Sequence, residues 1–282
     1  MTRTTWTRIA ALPGLWALVA AAGGCSVNPA TGQRELILIP ESQEIAMGLE
    51  AAPKFEKEFG GKVPNETLQA YVAQVGGRIA AVADRKMEYQ YTLVASKVPN
   101  AFALPGGQIF VTAGLIRLMS SERELAAVLG HETGHVCAKH NVKGMQRQIG
   151  ASVLADLAAQ IAGGGDTAAA AAKVAGTMIT MKYSRDDEFQ ADELGTKYMS
   201  KAGYNPWGMV ELLTVLLNLH EKEPSKLEEL FQTHPISSKR IADATAMIQQ
   251  DHAAARKTDP DPKAGEFLAM RKLLIDTVGA GR

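Results

Sequence analysis

The sequence predicts a mainly helical α+β fold, with a small β-sheet beside one central helix. Three observations predict it. Apolar residues recur at helical spacing along much of the chain, most clearly Leu68, Tyr71, Val72, Val75, Ile79 and Val82. Two short stretches instead carry strand patterns: Tyr89, Tyr91 and Leu93 alternate with polar residues, and a β-prone run, Gln108-Ile109-Phe110-Val111, follows the Pro105-Gly106-Gly107 break. Finally, Ser121-Glu122-Arg123-Glu124 is a capping-box pattern ahead of an apolar run, which starts a helix through His131-Glu132-Thr133-Gly134-His135. With 282 residues, 46% of them hydrophobic, the chain can bury a full core without disulfides. Formal net charge is 0, and no basic stripe or aromatic ladder offers a surface to nucleic acid.

The elements follow in order. Arg3 and Arg8 precede an almost wholly apolar stretch at residues 9–22 that contains Pro13 and Gly14. It is shorter than the ~20 residues a bilayer-spanning helix needs, and it reads as a secretory signal peptide over residues 1–24. Ala22-Gly23-Gly24-Cys25 resembles a bacterial lipobox, with Ala22 where leucine is usual. Cys25 is therefore the expected lipidation site and mature N-terminus, and residues 25–40, polar and turn-rich at their start, the expected tether. Cys137 is then the one remaining cysteine, expected to be buried. Helices are expected at 41–59 and 65–84, then the two strands, then the histidine helix. An alanine-rich stretch at 151–181 reads as two helices joined at Gly163-Gly164-Gly165; Asp156, Asp166 and Lys173 argue against a membrane span there. Ser184 caps a helix over 185–201, closed by Gly203. Further helices are expected to begin at Asn205-Pro206 and His234-Pro235, and a last one to cover 265–278. The organisation expected is a domain over 41–255 and a helical C-terminal extension over 256–282, with no internal repeat.

Two histidines four apart on a helix share one face, so both imidazoles can reach one zinc ion. Glu132 sits on the adjoining edge, where its carboxylate can take a proton from water on the metal without binding it. Small Thr133 and Gly134 leave room nearby. A zinc enzyme needs a third protein ligand and an open position. His140 lies about 140° round the helix from His135, and Cys137 about 200° round, so neither joins that face. The remaining candidates are His234 or an acid on a later helix. Glu188 and Asp192, four apart, share a face flanked by apolar Phe189 and Ala191; Glu188 as ligand, with Asp192 holding a ligating histidine, would answer the cost of burying both acids. A solvated acidic face fits the same spacing, because Asp186, Asp187 and Glu193 cluster with them.

The strings HETGHVCAKHN and SRDDEFQAD together resemble the HtpX-like and CAAX-prenyl-protease-like zinc metallopeptidases, of the gluzincin kind. Asn100-Ala101-Phe102-Ala103 with Pro105-Gly106-Gly107 and Ile109-Phe110-Val111, and Thr233-His234-Pro235 with Arg240, are similar to further motifs of that family. CSVNPATGQREL, from Cys25, looks like the start of its bacterial lipoprotein branch. The resemblance covers roughly residues 25–250. It implies a zincin-like metalloprotease domain holding one Zn2+ per chain through His131, His135 and Glu188, with Glu132 as general base and Asp192 orienting a zinc histidine. It implies that His234 and Arg240 approach the site, either stabilising the oxyanion or, for His234, closing the metal as a fourth ligand. It also implies that an extended peptide lies along the strand at Gln108, Ile109, Phe110 and Val111, near Asn100, Gly106 and Gly107. The expected protein is a zinc endopeptidase, lipid-anchored at the periplasmic face of a bacterial outer membrane. Its expected substrates are misfolded or unassembled envelope polypeptides. The competing expectation is a non-catalytic or latent assembly factor with a closed zinc site.

Overall fold

The computed structural model describes residues 25–279; the expected signal peptide at 1–24 lies outside the described residues. The architecture is mainly helical α+β, as the periodicity predicts. Strands β1 (Cys25–Val27) and β2 (Arg34–Leu36) form an antiparallel hairpin. Helices α1 (Glu41–Glu58) and α2 (Glu66–Val82) follow, the second capped by the Asn65 side chain. Next come β3 (Gln90–Val94), β4 (Ala101–Ala103) and β5 (Gln108–Thr112), then a short α3 (Ala113–Ile116) and the histidine helix α4 (Glu122–Cys137).

The stretch after α4 is helical throughout: α5 (His140–Ile149), α6 (Ala151–Ala159), α7 (Thr167–Thr180) and α8 (Arg185–Lys201). It continues with α9 (Trp207–Lys222), α10 (Glu228–Thr233), α11 (Ser238–Asp251) and α12 (Ala264–Val278). None of the described helices is long and apolar enough to cross a membrane.

The sheet order is β3-β5-β4, with β5 parallel to β3 and antiparallel to β4. Period-two alternation splits its side chains between two apolar clusters. Leu93, Ala101, Ala103, Ile109 and Val111 face the core shared by α2, α4, α8 and α9. Val94, Phe102 and Phe110 face the other way, into the cluster of α1, α6 and α7. There Phe55 meets Phe102 edge-on at 4.9 Å between ring centroids.

Two expectations need correction. The run Gln108-Ile109-Phe110-Val111 is not a sheet edge: β5 is the central strand, hydrogen-bonded on both sides. The cause is β4, three residues of alanine and phenylalanine whose pattern is too short to read as a strand. The Pro105-Gly106-Gly107 turn joins β4 to β5, with Gly106 and Gly107 at φ 72° and 87°, a region only glycine adopts freely. His234-Pro235 does not begin a helix: His234 ends α10, and the Ser237 side chain caps α11 by accepting from the Arg240 N–H. Residues 25–40, the expected tether, are linked to α5. Buried Glu35 accepts from Asn28 at 3.0 Å and from Lys143 of α5 at 2.8 Å. The helix expected at 265–278 is α12, whose Phe267 and Leu274 are buried in the main core.

Candidate metal centre

The centre starts from one close helix pair. A Cβ added to Gly195 of α8 would stand 2.8 Å from the His131 backbone nitrogen, and one on Gly134 would stand 2.9 Å from the Ala191 carbonyl. Only residues without side chains allow backbones to approach so closely. Helix α4 is buried along nearly its whole length. Its capping box is not closed reciprocally: the Glu124 carboxylate instead accepts from the Ser120 N–H and hydroxyl at 3.0 and 2.6 Å. Ser184 does close a full capping box with Asp187, which fixes the start of α8.

This packing brings together His131, His135, Glu188 and His234, all buried, each offering one donor atom within 4.8 Å of the others. His131 Nε2 lies 3.0 Å from His135 Nε2 and 3.5 Å from Glu188 Oε2. His135 Nε2 lies 3.3 Å from Glu188 Oε1, which also accepts from His234 Nδ1 at 3.0 Å. Glu132 stands beside the group, its Oε1 3.9 Å from His234 Nε2. Tyr183 stacks on the His135 ring at 3.8 Å.

The surrounding charges are matched. Asp192 Oδ1 is 2.9 Å from His131 Nδ1. Arg240 donates from Nε to Asp192 Oδ2 and from Nη2 to Asp192 Oδ1, both at 2.7 Å, and its Nη1 reaches Glu188 Oε2. Nη1 also meets the Pro235 carbonyl. Arg240 is thus paired with two buried acids. Burial would raise the Glu188 carboxyl, but Arg240 and His234 hold it well below its ordinary value. Burial raises Glu132, only partly countered by His234 and His131. Burial pushes His135 well below the ordinary imidazole value and His140 down to about 4. Burial would lower His234 too, but Glu188 and Glu132 outweigh it and raise that group.

These residues fit a zinc ion. A carboxylate only accepts, so the proton of His131 sits on Nδ1 against Asp192 and its Nε2 presents a lone pair to the cluster. Two imidazoles and a carboxylate are the donor set of a catalytic zinc site. Glu132 Oε2 is buried with no hydrogen-bond partner, as a carboxylate reserved for a reacting water would be. An apolar cavity opens beside Glu132 and His131, lined among others by Ala101, Val128, Met209, Leu213 and Leu230.

All the residues singled out on α4 and α8 therefore converge, and His234 and Arg240 join them. Asn100 lies at the start of β4 and donates from Nδ2 to Glu229 at 3.2 Å. Gly106 and Gly107 stand apart, packed against α1 and the residues before β3. Cys25 sits in β1, opposite Leu36 of β2. Sequence reasoning missed Tyr183, Gln190 and the proximity of His140. The helix-angle argument assumes that α4 continues through residue 140. Lys139, at φ 56°, ends the helix and folds His140 back against His135. No sequence signal marks a left-handed lysine.

Residues 66–248 match the profile of peptidase family M48. The chain belongs to that family. It is 29% identical over 223 residues to the beta-barrel assembly-enhancing protease of Escherichia coli, covering 74% of this chain and 44% of that one. It is 29% identical over 224 residues to a mitochondrial metalloendopeptidase of Schizosaccharomyces pombe, covering 76% and 63% of the two chains. With the metalloprotease LoiP of Escherichia coli it shares 31% identity over 152 residues, or 53% and 59% of the two. The family is one of peptidases. It spans about half the length of the curated beta-barrel assembly-enhancing proteases it matches.

Proposed function

We propose that this chain is a zinc endopeptidase of the bacterial cell envelope, acting on misfolded or unassembled envelope proteins. The carrying observation is the buried group His131, His135 and Glu188 with the partnerless Glu132 oxygen beside it. His131, His135 and Glu188 would hold one Zn2+. Zinc bound there supplies a Lewis acid for the peptide carbonyl and brings the pKa of water down to about 7. Glu132, with its proton affinity raised by burial, takes the proton of the attacking water and returns it to the departing nitrogen. Asp192 and Arg240 hold His131 and Glu188 in place.

The substrate strand would lie on β4 rather than β5. Strand β4 lies beside α4, and Ala101 borders the apolar cavity. A peptide paired there places its backbone across Glu132 and an apolar side chain in that cavity. The name of the Escherichia coli relative, a beta-barrel assembly-enhancing protease, favours β-barrel polypeptides as the substrate class. Lipidation at Cys25, sorting to the outer membrane, and a division into residues 25–40, 41–255 and 256–282 rest on the sequence pattern alone.

The test is incubation of the full chain with denatured outer-membrane protein, with and without chelator. Cleavage that stops with chelator and in Glu132→Gln, while that variant keeps its zinc, supports the reading. Undiminished proteolysis by Glu132→Gln overturns the role of Glu132.

One observation favours a second reading, a latent enzyme. His234 offers a fourth donor to the same centre. If it closes the metal, His234→Ala accelerates cleavage; if it serves the transition state, the same variant slows cleavage by about 100-fold.

A further inference from the structure

The two histidines of α4 differ in what holds their outer ring nitrogens. His131 Nδ1 meets a carboxylate, Asp192. His135 Nδ1 meets another imidazole: it lies 2.9 Å from Nδ1 of His140. At that distance one nitrogen donates and the other accepts, and the far side of His140 decides which. His140 Nε2 stands 2.9 Å from Gln190 Oε1 and 3.5 Å from Asp187 Oδ1. The Asp187 carboxylate offers acceptors only, and so does the Gln190 oxygen that faces the ring. Neutral His140 therefore keeps its proton on Nε2, which leaves Nδ1 a bare acceptor. His135 must then donate from its own Nδ1. A neutral imidazole with its proton on Nδ1 has a lone pair on Nε2, and His135 Nε2 is the atom 3.0 Å from His131 Nε2 and 3.3 Å from Glu188 Oε1.

We infer that His140, oriented by Gln190, is a positioning residue that fixes His135 in the one tautomer able to bind a metal. The inference rests on the metal-centre reading above. His140 is no ligand itself: it lies behind His135, away from Glu188 and His234. Its surroundings leave it no other partner. It is 1% exposed, and both of its nitrogens are engaged within the protein. Gln190 sits on α8 two residues beyond the ligand Glu188 and two before Asp192. The same helix therefore supplies a ligand, the partner of one ligating histidine, and the residue that orients the partner of the other.

The test uses the full chain, with zinc affinity read by competition against a chromogenic chelator and histidine tautomers read from ring 15N shifts. His140→Leu fills the space without an acceptor. It is expected to weaken zinc binding about 10- to 100-fold and to let the Nε2–H form of His135 appear. His140→Asn returns an amide oxygen near the position of Nδ1 and is expected to recover most of that loss. Gln190→Leu, which leaves His140 in place, gives a smaller loss with the same tautomer mixing. Wild-type affinity and an unchanged His135 tautomer in folded His140→Leu would overturn the inference. If His140→Leu does not fold, the same result in Gln190→Leu does so. A wild-type chain that binds no zinc overturns the metal-centre reading instead, and the 15N shifts of His135 still decide whether His140 sets its tautomer.

Discussion

Beneath the four donors lie α4 and α8, 16 and 17 residues long and at backbone contact. Above them lie a three-residue strand, β4, and a six-residue helix, α10. The floor is fixed three times over: by glycines that admit the close approach, by a capping box at the start of α8, and by Arg240 pairing with Asp192 and Glu188. The roof is held over β4 by few polar links, among them a single side-chain bond from Asn100 to Glu229. The difference teaches where precision is needed. Donor atoms must stay within tenths of an ångström of their places to bind a metal, and three of the four, His131, His135 and Glu188, sit on long, mutually braced helices, while His234 alone comes from the end of α10. On the proposed function the surface above them must admit chains of varied sequence, and short pieces can move to do so.

The largest effect should come from removing the charge that braces the floor. Arg240→Met leaves Asp192 and Glu188 buried without their cation, and removing one partner of a buried pair costs about 3–5 kcal/mol. Chemical denaturation of the metal-free chain should show a loss of that order. A loss below ~1 kcal/mol would mean that the acids find other partners and that the floor is less rigid than its geometry implies.

Gly195→Ala tests the close approach alone. Its new Cβ would meet backbone atoms of His131 and Gly130 at 2.8 and 2.9 Å, which no side-chain rotation can relieve. Overpacking of this kind costs roughly 1–3 kcal/mol. Because α8 must shift away from His131, weaker zinc binding should accompany the loss. Unchanged zinc affinity with reduced stability would separate the packing of the floor from its donor geometry.

The same contrast explains what the sequence made legible. Contacts within one helix follow from spacing, so His131, Glu132 and His135 were readable at once, and Glu188 and Asp192 as a pair. Helix α8 was predicted to its bounds because Ser184 and Gly203 mark both ends. Everything that depends on how distant pieces meet was harder. Three residues of β4 carry no period, so the sheet edge was assigned to the wrong strand. Helix arithmetic for His140 assumes a helix that in fact ends before it, so it could not foresee the turn at Lys139 that sets that ring against His135. Arg240 is expected near the metal, but its pairing with Asp192 and Glu188 is a tertiary fact.

The smallest effect belongs to the roof. Glu229 is half-buried, and its bond to Asn100 joins α10 to the start of β4 across the line a peptide would follow. Glu229→Ala removes that bond at a cost to stability of no more than about 1 kcal/mol. If the roof must lift before a peptide pairs with β4, the closed state lowers apparent affinity by the fraction of molecules that are shut. A bias of about 0.5–1 kcal/mol toward opening should then raise kcat/KM on an unfolded substrate roughly two- to five-fold. Amide exchange across residues 228–236 should quicken, while α4 and α8 exchange as before. Slower cleavage would place Glu229 among the groups that hold the substrate. Faster exchange in α4 as well would show that floor and roof open together, and the contrast between them would fail.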